Sequence, residues 1–227
     1  MNETNINKDI PTLIRLYITE REASLEDGSS IRQSDIPIED ILKYFELRPL
    51  ELYNLYLFAR FSKGMECPYC GWDSITADIG FFDSYIPYFR CAKSSIDESH
   101  RFNVFSNTIF EKAEFSKISL IKWTRLIVFY INYPGSHKPT LKEMAEVLGI
   151  HKDNLIFFQN NPTARAVGTV LLAYKKAKIF GKANKIETFG QLARTLEWFM
   201  SFDQEGATDS TRLTRVLFSD DPKGKGK

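Results

Sequence analysis

The sequence predicts a mainly α fold that carries one small β unit, an α+β chain whose helical part contains a helix-turn-helix. Three observations carry this reading. Apolar residues recur at helical spacing over most of the chain beyond Ile38, and a capped helix followed by a glycine turn begins at Thr140. Between them, Cys67-Pro68-Tyr69-Cys70-Gly71 is followed by Cys91 and His100, with short segments rich in aromatic and β-branched residues around them.

That cluster gathers every thiol of a chain with only three cysteines and three histidines. A Cys-x2-Cys-Gly turn lets two thiolates grip one tetrahedral ion, and glycine suits the sharp turn beyond the second thiolate. The pattern points to a structural zinc site formed by Cys67, Cys70, Cys91 and His100. The fourth ligand is inferred, because a second Cys-x2-Cys knuckle is absent; Asp97, Glu98, His137 or His151 are the alternatives to His100. The competing reading is three cysteines serving as small buried hydrophobes, which accounts for neither the knuckle spacing nor the flanking strands. Strands are expected at Ile75 to Ile79, at Tyr85 to Arg90 and at Arg101 to Phe105, the last alternating as a half-exposed strand does. This is the pattern of a zinc ribbon over 65–111, too small to be stable without its metal.

Ahead of the ribbon, in an N-terminal helical segment 1–64, the first residues and Glu22 to Gln33 read as loops. Ile41, Leu42, Tyr44, Phe45, Leu50, Leu52, Tyr53, Leu55, Tyr56 and Phe58 then suggest two helices broken at Arg48-Pro49, with Pro49 opening the second. A helical domain follows over 112–205. A helix from about Ser116 to Tyr130 presents Ile118, Trp123, Leu126, Ile127 and Tyr130, and stops before Pro134-Gly135. Two more helices are expected at Thr163 to Lys178 and Ile186 to Phe202. The segment 206–227 reads as a largely disordered tail.

Thr140 with Glu143 forms a capping-box pattern, Gly149 suits a left-handed turn, and a second helix is expected from His151. Ala145 marks a close helix crossing, and Met144, Leu148, Ile150, Leu155 and Phe158 a shared core. This is the helix-turn-helix pattern over 140–160, whose second helix enters the DNA major groove. On that helix His151, Lys152, Asp153, Asn154 and Phe157 face outward. Lys152 suits a guanine edge or a phosphate, Asn154 an adenine and Phe157 a thymine methyl. The bland alternative is an ordinary helical hairpin.

Formal net charge is +1, yet the charges are segregated along the chain. Residues 1–66 hold 8 basic and 12 acidic groups, 67–111 hold 3 and 6, and 112–185 hold 13 and 4. The last block is the electrostatic footprint of a phosphate-binding surface. Lys117, Lys122, Lys138, Lys142 and Lys152 are its candidates for positioning DNA.

With ribbon and helix-turn-helix in view, residues 65–160 resemble the N-terminal DNA-binding portion of bacterial insertion-sequence transposases that carry a zinc ribbon ahead of a helix-turn-helix. The carriers are Cys67-Pro68-Tyr69-Cys70-Gly71, Tyr88-Phe89-Arg90-Cys91, Arg101-Phe102-Asn103-Val104-Phe105, Thr108-Ile109-Phe110-Glu111 and Trp123. The chain departs from that family in its wide Cys91 to His100 spacing. It also departs after residue 160, where the rest reads as helices and tail, while transposase catalysis needs acidic residues holding two metal ions on a domain of roughly 100 residues or more. The resemblance therefore implies DNA binding without strand transfer.

Function follows as an expectation. The leading reading is a sequence-specific double-stranded DNA-binding protein, a transcriptional regulator of a bacterium or mobile element. The alternative is a protein–protein interaction module, or a transposase accessory subunit without catalytic activity. Phe81, Phe82, Tyr85, Tyr88 and Phe89 either pack on the flanking helices, the bland reading, or in that case form a self-dimer surface or a docking site for a partner such as RNA polymerase. Single-stranded RNA binding through these aromatics is a further option. Enzymatic function finds no phosphate-cradling glycine loop, nucleophile elbow or His-Glu-x-x-His pattern. No apolar run approaches the roughly 18 residues of a membrane span, and the N-terminus lacks signal-peptide order, so a cytoplasmic protein is expected.

Overall fold

A computed structural model describes residues 37–61, 64–78, 88–91, 100–111, 113, 118–134, 139–151, 162–179 and 185–202. Among them are helices α1 (Ile38–Leu47), α2 (Pro49–Phe61), α3 (Leu120–Asn132), α4 (Leu141–Leu148), α5 (Pro162–Ile179) and α6 (Phe189–Met200). Strands β1 (Ile75–Asp78), β2 (Tyr88–Cys91) and β3 (Arg101–Phe102) complete the set. The fold is mainly α with a small β sheet, as the sequence predicts.

Helices α1 and α2 meet at Arg48, where the following proline ends one helix and opens the next. The corner is braced by Arg48, whose Nη1 donates to the Tyr44 hydroxyl at 3.0 Å and to Glu51 Oε1 at 3.2 Å. Leu50 does not join the buried stripe. It lies in the first turn of α2, across the corner from Leu47 at the end of α1, and both are exposed.

One continuous core runs from Ile38 to Phe202 and takes side chains from all six helices. The N-terminal helices and the later helices therefore share an interior. Trp123, Leu126, Ile127 and Tyr130 bury one face of α3 as expected, although the helix starts at Leu120 and Ile118 precedes it half-buried. At its end Asn132 acts as a surrogate strand, donating from Nδ2 to the Ile186 carbonyl at 2.7 Å and accepting the Ile186 amide on Oδ1 at 2.8 Å. That pairing keeps Ile186 extended, so α6 begins only at Phe189, behind a capping box made by Thr188 and Gln191.

The sheet is antiparallel in the order β1-β2-β3. Ile75, Phe89, Cys91 and Phe102 belong to a second small apolar cluster with Cys67, and Phe61 from the end of α2 packs on both clusters. The third strand is shorter than expected. Asn103 stops it: its Oδ1 accepts the Phe105 amide at 2.8 Å, while its own amide donates to Ser106 Oγ at 2.9 Å. Val104 and Phe105 consequently leave the sheet and are both buried in the main core.

The segment Thr108-Ile109-Phe110-Glu111 ties the ribbon to the helices. Thr108 closes a local turn by donating from Oγ1 to the Phe105 carbonyl at 2.6 Å, the Ile109 amide donates to the Phe202 carbonyl at 2.9 Å, and Phe110 packs edge-on against Tyr56 and Trp123.

Candidate metal centre and helix-turn surface

Cys67 and Cys70 lie in a tight loop closed from both sides. The Gly71 amide donates to the Cys67 carbonyl at 2.8 Å, and the Cys67 amide donates to the Trp72 carbonyl at 2.8 Å. Gly71 has φ 71°, a left-handed conformation that glycine adopts without steric cost. Cys91 ends β2, and His100 stands beside it immediately before β3. The Cys91 amide donates to the His100 carbonyl at 3.1 Å, and the His100 amide donates to Cys91 Sγ at 3.0 Å.

The sequence therefore folds its four predicted ligands into one group. One ligand atom from each of Cys67, Cys70, Cys91 and His100 falls within 4.8 Å of all the others, an arrangement compatible with a metal site. No cysteine pairs in a disulfide. A tetrahedral ion with bonds of about 2.3 Å to sulfur and about 2.0 Å to nitrogen needs ligand atoms roughly 3.5 to 3.8 Å apart. Cys91 Sγ and His100 Nδ1 are 3.6 Å apart, within that range, and the widest pair would need to close by about 1 Å. Of the alternative fourth ligands, His151 is not part of the group, while Asp97, Glu98 and His137 lie outside the described residues.

The two buried thiols are tuned in opposite directions. Burial pushes the Cys67 thiol up, against the backbone hydrogen bonds it receives at Tyr69 and Cys70. At Cys91 the His100 backbone hydrogen bond dominates and brings the thiol down to about 7, against the effect of burial. Such bonds stabilise the thiolate, the form that binds metal.

Contacts that the sequence does not announce surround this group: Tyr69 and Asn107 tie the knuckle to residues beyond the sheet, and Arg60 braces the segment after β3. The Tyr69 ring lies 5.4 Å from the His100 ring, and its hydroxyl donates to Glu111 Oε1 at 3.2 Å. Asn107, at φ 55°, donates from Nδ2 to the Pro68 carbonyl at 3.1 Å. Arg60 donates from Nη1 to the Val104 carbonyl at 3.0 Å. Their partners lie tens of residues away in the chain, so no local pattern announces them.

Around the predicted helix-turn-helix, α4 forms as expected. Thr140 and Glu143 make a reciprocal capping box, and Gly149 ends the helix at φ 59°. Ala145 and Leu148 are buried, with Met144 and Ile150 half-buried against the same core. Lys122 reaches the turn from α3, its Nζ lying 3.8 Å from the position a Cβ on Gly149 would occupy. A cation there faces the carbonyl end of α4, where the helix dipole favours positive charge. His151, just past the turn, and Lys142 on α4 are exposed. The other predicted contacts, Lys138, Lys152, Asp153, Asn154 and Phe157, lie outside the described residues, as does Lys117.

No protein-family model, curated protein or solved structure matches the chain. Among the described residues no helix is long and apolar enough to cross a membrane.

Proposed function

We propose that this chain is a sequence-specific double-stranded DNA-binding protein, a transcriptional regulator of a bacterium or mobile element, with its ribbon held by structural zinc. The observation that supports DNA binding most is the turn at Gly149. A capped helix packed through Ala145, a left-handed glycine and a lysine drawn to the turn are the first half of a helix-turn-helix, and they lie within the chain's most basic block. In this reading the segment from His151 enters the major groove, with Lys152, Asn154 and Phe157 toward base edges. Lys122, Lys138 and Lys142 neutralise phosphates.

Three thiols and one imidazole are the donor set zinc prefers. Four protein ligands leave no position open for water, so the ion's contribution is to hold the fold. A shared origin with the DNA-binding part of insertion-sequence transposases belongs to the same proposal and rests on the ribbon and helix-turn-helix motifs. Selection of duplexes from a random library tests it: enrichment of a defined site supports the reading, and enrichment of none contradicts it.

A second reading, an interaction module or a non-catalytic transposase accessory subunit, draws on Tyr69 and Trp72, which are 48% and 43% exposed on the knuckle. Among the aromatics first considered for that role, Tyr88 and Phe89 are half-buried, and Phe81, Phe82 and Tyr85 lie outside the described residues. A change in apparent mass on Trp72→Ala, with DNA binding unaltered, would favour it.

A further inference from the structure

The pairing register of the sheet separates two faces. Phe89, Cys91, Ile75 and Phe102 lie on the face that packs into the small apolar cluster with Cys67. On the other side, Thr76 pairs with Arg90 and Arg90 pairs with Arg101, so one row crosses all three strands. All three residues of this row are exposed. It holds two of the three basic residues of 67–111, a segment that is otherwise acidic.

Tyr88 lies two residues from Arg90 on the same face, and the Arg101 guanidinium sits 4.3 Å from its ring centroid. Stacking of this kind limits the side chain's freedom, so less entropy is lost when the guanidinium meets a ligand. Thr76 Oγ1 donates to the Arg90 carbonyl at 3.3 Å, which links β1 to the same row. Strands are spaced about 4.8 Å apart, so two guanidiniums from adjacent strands reach one phosphate or two neighbouring ones.

We propose that this outer face of the ribbon is a second DNA-contacting surface, in which Arg90 and Arg101 bind phosphates of the duplex backbone. The inference rests on the DNA-binding reading above and adds a surface to it. Charge and shape select the occupant: by register the face carries Arg90 and Arg101 against one acidic residue, Asp78, which pairs with Tyr88, and planar guanidiniums take phosphate oxygens in pairs. In this proposal the two guanidiniums contact the backbone and so position the protein on the duplex, and base reading falls to the helix-turn side.

The experiment uses the full zinc-loaded chain and a mixed-sequence duplex, with binding followed by fluorescence anisotropy across a salt series. Arg90→Gln with Arg101→Gln should weaken binding by about tenfold or more at low salt, and lower the slope of log affinity against log salt by about 1 per arginine. Zinc content and thermal unfolding are measured on the same variant to show that the ribbon is intact. Arg101→Lys should keep the slope yet bind more weakly, because the ring stacking is lost. An unchanged slope in the double variant, while Lys142→Ala lowers it, overturns this surface and leaves the DNA-binding reading standing. Loss of binding to one sequence alone, or a slope change seen with single-stranded RNA and not with duplex, also overturns it. A wild-type chain that binds no duplex at low salt removes the DNA-binding reading itself.

Discussion

His100 meets Cys91 twice, through a backbone amide 3.0 Å from the sulfur and through Nδ1 at 3.6 Å from it. The amide bond and the Cys91-to-His100 carbonyl bond fix the histidine backbone beside the thiol whatever the imidazole does. Removing the imidazole should therefore leave three thiols gathered. His100→Ala is expected to keep weak zinc binding, with affinity reduced by more than the roughly 10- to 100-fold that loss of an outer partner costs, and His100→Cys to restore it. Competition with a chromophoric chelator measures both. Cys91→Ser, which removes a ligand and the acceptor of the His100 amide, should be the more damaging change.

The first turn of α4 is held by a carboxylate. Glu143 Oε2 accepts the Thr140 amide and hydroxyl, each at 2.7 Å, and Oε1 accepts the Tyr133 hydroxyl at 2.8 Å. The Thr140 backbone bond, followed by the Thr140 hydroxyl and Tyr133, holds the Glu143 carboxyl below the ordinary glutamate range. A depressed folded pKa means the contribution is complete above the unfolded value, about 4.3, and disappears as pH falls through the lower folded value. Glu143→Gln should therefore be less stable than wild type near neutral pH, with the difference shrinking below about pH 4. Thr140→Ala should cost about 1 kcal/mol in chemical denaturation at neutral pH.

Gly149 shows a conformational constraint without a packing one. A Cβ there would meet only Lys122 Nζ at 3.8 Å, an ordinary contact, but φ of 59° is left-handed. Gly149→Ala should cost roughly 1–2 kcal/mol from backbone strain, and Gly149→Asn less, since asparagine tolerates this region better. Urea unfolding of the two variants separates strain from crowding, which would penalise asparagine more.

Inside the core, the Tyr56 hydroxyl and Thr124 Oγ1 are 3.0 Å apart, and Thr124 also donates to the Leu120 carbonyl at 2.9 Å. Burial pushes the Tyr56 phenol well above its usual range. Tyr56→Phe should lower stability by about 1 kcal/mol, because Thr124 keeps its backbone partner when the phenol is removed. Trp123→Ala, at the contact with Phe110, should cost about 3–5 kcal/mol by opening a large cavity.

Local chemistry made much of this fold legible. The knuckle glycine, the proline between α1 and α2, the Thr140 box and the left-handed Gly149 are all read within a few residues of where they act. The structure departs from local pattern where distant partners decide. Asn103 ends β3 early because the next residues are drawn into the helical core, and Asn132 holds Ile186 extended and so delays α6. The docking of the knuckle through Tyr69 and Asn107 likewise depends on contacts that spacing along the chain does not encode. The grouping of Cys67, Cys70, Cys91 and His100 is legible because metal chemistry demands a recognisable residue set; the supporting contacts have no such set.

Whether a zinc-held ribbon and a basic helix-turn surface together bind duplex DNA is decided by titrating the zinc-loaded chain against duplex DNA at low and at physiological salt, alongside Lys122→Ala with Lys142→Ala. Binding should fall steeply with salt, and the variant should show a slope shallower by about 1 per lysine. Zinc-loaded, folded protein that binds no duplex at low salt would contradict it.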